Sequence, residues 1–238
     1  MTPRRLARLW SWAHTWRRRT FLAGIVLAGL WAAVGCYQSI KPLPPDLVYR
    51  GEPTAVAGTE LRFFVDLTYR DDDGVEVIEQ EIFDEVLRLI HDARKLLVLD
   101  LFLFNDHLGP DGIAHRPLSS EVVEALIAAR HREPEMPVVL VTDPINDVYG
   151  GDPSPQLATL REAGVQVVMT DLFRLRDSNP LYSSFWRIFV QWWDISPGGG
   201  WLPNPLDPAA RKVSLRTYLR LANFKANHRK IVLADSGA

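Results

Sequence analysis

The chain has 238 residues, a net charge of −2 and 47% hydrophobic residues, enough for one sizeable core plus an anchor. Six arginines and no acid stand in residues 1–20, leaving 21 basic and 29 acidic side chains over 21–238. So acidic a body argues against a general nucleic-acid binder. One cysteine excludes a disulfide framework and a zinc cluster.

The first 19 residues read as a basic cytoplasmic segment. Residues 20–40 carry no charge and run long enough to cross a hydrocarbon core of about 30 Å. Arg17, Arg18 and Arg19 precede that stretch and a lone Lys41 follows it. The positive-inside rule then places the N-terminus in the cytoplasm and the rest outside it, with Trp31 and Tyr37 suited to an interface belt. A cleaved signal is the alternative reading. Ala33-Val34-Gly35-Cys36 is similar to a bacterial lipoprotein cleavage box, which makes Cys36 a candidate lipid attachment point.

Residues 41–59 form a proline-rich linker with Pro42, Pro44, Pro45 and Pro53. A single domain over 60–238 follows. Its pattern predicts a strand over 61–67, a turn at 71–74 and an amphipathic helix over 77–93, where Ile78, Ile82, Val86, Leu89 and Ile90 recur at helical spacing. The turn is not a calcium loop, since Tyr69 occupies the first ligand position. A buried central strand is expected over 96–104, a helix capped by Ser119 or Ser120 to about residue 130, and a strand over 138–141. A short helix over 155–163, stopped by Gly164, leads to a strand over 165–169. This alternation argues for a layered α/β domain.

Between 177 and 210 the pattern changes. Phe185, Trp186, Ile188, Phe189, Trp192 and Trp193 crowd one short helix, followed by Gly198, Gly199, Gly200 and Trp201. Either the aromatics pack on the sheet, or the segment is a membrane-facing lid. Asp66, Asp100, Asp106, His107 and Asp143 stand near strand ends, where α/β folds bind ligands but where most such residues cap turns. His14, His91, His115 and His131 have no partner at metal spacing.

The segment 211–230 contains Arg211, Lys212, Arg216, Arg220, Lys225, Arg229 and Lys230 with no acid. It reads as converging on Asn227-His228-Arg229-Lys230, ahead of the β-forming run Ile231-Val232-Leu233-Ala234 and Asp235. On a strand His228 and Lys230 share one face. A neutral imidazole is a competent nucleophile, and a lysine cation can hold a non-bridging phosphate oxygen. The rival is a basic surface strand with an incidental histidine. Asp235 falls on the opposite face, about 23 Å from His228 at 3.3 Å per residue, and so reads as structural by geometry.

His228, Lys230 and Asp235, with Asn227 before them, make this chain resemble the phospholipase D superfamily, and more narrowly its bacterial cardiolipin-synthase-like members. The run Asp100 to Asp106 and the membrane-proximal start support the likeness, which extends over about 60–238. The resemblance implies an α/β/α sandwich of the phospholipase D type. It also implies a catalytic set of His228, Lys230 and Asp235, with no metal or cofactor. The activity implied is phosphodiester cleavage or phosphatidyl transfer on a phospholipid, through a phosphohistidine, at the periplasmic face of the inner membrane. Family members use two copies of the motif, whereas this sequence has one. The expectation is therefore one incomplete half, paired with a second half from elsewhere and inactive alone. A nuclease of the same superfamily and a catalytically silent, membrane-tethered binding module are the rivals.

Overall fold

The computed structural model describes residues 3–45, 51–106, 116–193 and 200–236. Residues 46–50 of the linker, His107, His115, Gly198 and Gly199 lie outside the described residues. Helix α1 (Pro3–Ile40) is followed by a hairpin of β1 (Asp66–Arg70) and β2 (Glu76–Gln80). Then come α2 (Glu81–Asp92), β3 (Leu96–Leu101), α3 (Leu118–Arg132), β4 (Val138–Thr142), α4 (Pro155–Glu162) and β5 (Gln166–Met169). The chain continues through α5 (Pro180–Phe185), which runs on as a π-helical turn (Trp186–Val190), then α6 (Leu215–Leu221) and β6 (Lys230–Asp235).

The domain is mixed α/β. Four strands form one sheet in the order β5-β4-β3-β6; β3, β4 and β5 are parallel, and β6 runs antiparallel to β3. Crossovers through α3 and α4 return the chain to the same sheet direction, which parallel pairing requires. Leu97, Leu99 and Leu140 on the sheet meet Ile90, Leu126, Leu157 and Leu160 from α2, α3 and α4 in the core. The other face of the sheet carries Val98, Val141, Val168, Ile231 and Leu233. Ile231 and Leu233 there are 52% and 53% exposed. The expected three-layer arrangement is met on one side: α2, α3 and α4 cover one face, and the opposite face is open along β6.

Three local expectations shift, each for a physical reason. The helix predicted from residue 77 begins at Glu81, because 76–80 pair across the Asp71–Gly74 turn as β2. Thr68 and Tyr69 stand opposite Ile78 and Val77, and such cross-strand β-former pairs outweigh the helical spacing that Ile78 happens to share. The strand predicted at 61–67 lies at 66–70 for the same reason, its register being set by that turn. Neither Ser119 nor Ser120 caps α3: Ser119 Oγ donates to the Asn105 carbonyl at 2.9 Å and Ser120 Oγ to Asp106 Oδ2 at 2.6 Å. The helix therefore starts at Leu118 and lacks a side-chain cap. By contrast Ser154 caps α4, and Gly164 ends it with φ +82°.

Candidate functional site

The site forms where β3 ends beside the start of β6. Phe102 N–H donates to the Arg229 carbonyl at 3.1 Å and carries the ladder one step past the strands. Asn227 fixes the approach to His228. Its main-chain N–H donates to Asp143 Oδ2 at 2.7 Å, and its Nδ2 donates to Asp100 Oδ1 at 2.8 Å and Thr170 Oγ1 at 3.1 Å. Three strand ends, those of β3, β4 and β5, thus hold one residue. Asp143 is fully buried, and burial pushes its carboxyl above the ordinary range against the main-chain N–H groups of Asn227 and Ile145 that favour the ionised form.

Asn146 clamps the strand that faces this anchor. Its Nδ2 donates to the carbonyl of Phe102 and to Thr142 Oγ1, both at 2.8 Å, while its Oδ1 accepts from Phe104 N–H at 2.8 Å. The loop that holds Asn146 also keeps Val148 and Tyr149 at φ +50° and +55°. A β-branched residue reaches that region only where its surroundings over-determine it, and such strain gathers near functional sites.

On this scaffold His228 and Lys230 come together. Lys230 Nζ lies 3.1 Å from His228 Nδ1 and 3.3 Å from Nε2, and it donates to the His228 carbonyl at 3.2 Å. The Phe102 ring packs against the imidazole with centroids 4.7 Å apart, and the lysine cation sits 5.5 Å from the same ring. Both polar side chains are exposed. No acid among the described residues forms an ion pair with Lys230. The structure brings Asn227, His228 and Lys230 to one place and leaves Asp235 elsewhere. Asp235 stands at the far end of β6, opposite Leu96 and on the other sheet face, about 17 Å from Lys230 at 3.3 Å per residue. Its carbonyl accepts from Arg94 and Lys95 N–H at 2.9 and 3.0 Å, closing the strand.

Two cavities meet at His228. One, of about 430 Å³, is walled by Ile82, Phe83 and Val86 of α2, Leu118 and Val122 of α3, and residues 101–104, with Lys230 at its mouth. The other, of about 620 Å³, opens on the uncovered sheet face and is lined by Val141, Val168 and Met169 together with Asp100, Arg174 and Arg229. An almost wholly apolar space and one that adds charged side chains to an apolar lining thus flank the same imidazole.

Most of the basic stretch does not converge on the motif. Arg187 holds Asp177 through two bonds of 2.8 Å, and Lys225 Nζ adds a third at 2.7 Å. Burial alone would raise the Asp177 carboxyl, but those bonds outweigh it and hold it below its ordinary value. The Arg220 guanidinium lies 4.3 Å from the Phe173 ring centroid and 5.4 Å from that of Trp186. Arg216 stacks 5.1 Å from the Trp186 ring and donates to the Gln191 carbonyl. These cations pack the α5–α6 layer.

The other strand-end candidates are structural. Asp66 Oδ1 accepts from Ile82 N–H at the start of α2, and Asp106 accepts from Ser120 and Gln156. Asp100 and Asp143 bear on the site, but as anchors of Asn227. Phe102, Asn146 and Thr170 carry no sequence motif, so their part follows only from where three strand ends meet. No group of three or more histidine, cysteine or acidic side chains among the described residues could hold a metal.

No family model matches the chain, and neither the curated proteins nor the solved structures contain a match to it.

Proposed function

We propose that this chain is one phospholipase D–like half-site that works on a membrane phospholipid by phosphodiester cleavage or phosphatidyl transfer. The observation that carries the reading is the junction at His228: a His–Lys pair with an almost wholly apolar cavity on one side and, on the other, a cavity that adds the charges of Asp100, Arg174 and Arg229. A phospholipid has that division, with a phosphodiester between tail and head group. A nucleic acid would place charge along the whole groove, which the apolar walls oppose.

In this mechanism a nitrogen of neutral His228 attacks phosphorus and the bond to the head-group oxygen breaks. The leaving alkoxide takes its proton from a general acid on the opposite side, supplied by a second His-x-Lys half. Water or an acceptor alcohol then attacks the phosphatidyl–histidine, giving its proton to that same partner group and restoring the imidazole. Lys230 neutralises the non-bridging oxygen as its charge grows. Phe102 and the Asn227 anchor hold the imidazole in place. Asp235 contributes through the strand end.

Helix α1 is long and apolar enough over Thr15–Ile40 to cross a membrane, and a signal sequence would satisfy the same test. The proposal takes it as an uncleaved anchor, with the N-terminus cytoplasmic and the domain at the outer, periplasmic face. Lipidation at Cys36 is its variant. A catalytically silent binding module is the second reading, favoured by one observation: among the described residues no acid–base side chain other than Lys230 is bonded to His228.

The test is trapping by rapid quench in detergent at mildly alkaline pH, on the membrane-reconstituted chain with phosphatidylglycerol labelled in its acyl chain, with and without a second His-x-Lys half. The expected result is an acid-labile phosphatidyl adduct at His228 when both halves are present. Turnover that survives His228→Ala overturns the reading. Binding of the lipid with no adduct and no turnover in the paired sample replaces it with the binding module.

A further inference from the structure

Helix α1 does not stand alone. Trp31 Nε1 donates to the Leu181 carbonyl at 2.8 Å, and the Trp31 and Phe185 rings lie 6.1 Å apart. Gly35 is buried against α5: a Cβ there would sit 2.9 Å from Ser184 Oγ and 3.5 Å from the Pro180 carbonyl. A small residue at a close helix crossing is the usual means of packing helices in lipid. Further along, Asp177 N–H donates to the Gln38 carbonyl at 3.0 Å.

These contacts occupy the wrong part of α1 for a domain that sits above a bilayer. Trp31 is nine residues before Ile40, about 14 Å back along the axis at 1.5 Å per residue. The bare portion from Phe21 to Leu30 covers only about 15 Å, half of a hydrocarbon core of roughly 30 Å. The outer half of the span is therefore shared with α5.

The exposed side of α5 suits that position. Leu181, Phe185 and Phe189 recur at intervals of four and Trp192 extends the stripe; Leu181, Phe189 and Trp192 are exposed, and Phe185 is half-buried beside Trp31. Leu181 and Trp192 are each 76% exposed. Polar groups of the same segment turn inward: Tyr182 OH donates to the Leu219 carbonyl, Ser184 Oγ to the Pro180 carbonyl, and Arg187 binds Asp177. Trp186 and Val190, on the opposite side, are buried in the domain.

We propose that α5 and the turn after it form a second membrane-inserted element, seated in the outer leaflet beside α1 with Leu181, Phe189 and Trp192 facing lipid. The inference rests on α1 crossing the membrane. Its partner is the acyl and interfacial region of the bilayer, in which aromatic side chains are favoured. The domain is thereby held sunk against the surface from which a lipid substrate would be drawn.

The full chain with Cys36→Ser, in phosphatidylcholine–phosphatidylglycerol nanodiscs, accepts a bimane label at one introduced cysteine: Leu27→Cys, Leu181→Cys, Trp192→Cys or Arg161→Cys. Doxyl-labelled lipid is then added. The expected result is loss of fluorescence at 27 and at 181 or 192, with none at 161 on α4. If the label at 27 is quenched and neither 181 nor 192 is, the inference is overturned while the span stands. If 27 is not quenched, the span fails and the inference with it. Quenching at 161 along with the others means adsorption of the whole domain and overturns the specific seating of α5.

Discussion

Cations of the basic segment 211–230 are used in opposite ways. Around Asp177, Lys225 of this segment and Arg187 of the turn after α5 are nearly buried, and every charge meets a partner within 2.8 Å. Around His228, Lys230 is exposed, and its polar and ring partners among the described residues are the imidazole, the His228 carbonyl and the Phe102 ring. A buried cation without a carboxylate would cost several kcal/mol, so the first cluster has to be closed. Under the proposed function, a cation that meets a substrate oxyanion has to be left open. Charge density along a sequence cannot separate the two, because both read as lysine and arginine without acid.

The comparison can be broken in order of expected effect. His228→Ala should abolish adduct and turnover together in the paired protein, while its unfolding midpoint stays within about 0.5 kcal/mol of the parent, as for an exposed side chain. A midpoint shift as large as that of a core variant would make His228 structural. Asp177→Asn should do the converse. It strands two nearly buried cations and should cost on the order of 3–5 kcal/mol in denaturant titration. An unchanged midpoint would show that Arg187 and Lys225 find other partners.

Lys230→Ala should retain the nucleophile and fold, yet lower the rate about 10²–10³-fold if it resembles loss of one oxyanion donor. A comparable loss of adduct formation checks that the effect precedes the second step. The Asp177 cluster should also show in acid. Its carboxyl is held below the ordinary value, so its contribution is fully present above about pH 4 and fades as pH falls through the lower folded value. Asp177→Asn should flatten that acid limb of the stability curve, and His228→Ala should leave it unchanged. The smallest effect is expected for Asp235→Asn: a modest stability change, with turnover retained in the paired protein. Loss of chemistry in a folded Asp235→Asn protein would mean that a carboxylate on the far sheet face acts on the reaction.

Much of this was legible in the chain. Apolar runs at 96–101 and 138–142 become strands because buried parallel strands must be apolar on both faces. The alternation of a strand places His228 and Lys230 on one side whatever surrounds them, and it sends Asp235 to the other. The uncharged stretch 20–40 marks a helix able to span a bilayer. Residues 76–80 were misread because Val77 and Ile78 fit either period, and a turn four residues upstream decided between them.

What tertiary structure alone decided is which groups from distant positions share a place. Asp100, Asp143 and Thr170 belong to the ends of three strands, and only the order β5-β4-β3-β6 brings them to Asn227. The apolar cavity exists because α2, α3 and the end of β3 bring their apolar side chains around one space. The aromatic segment is divided, Trp186 inward against Arg216 and Arg220 of α6 and Trp192 outward. Local periodicity is set by bond geometry and can be read along a chain. Proximity across 40 to 130 residues is set by how layers pack, and no short window of sequence contains it.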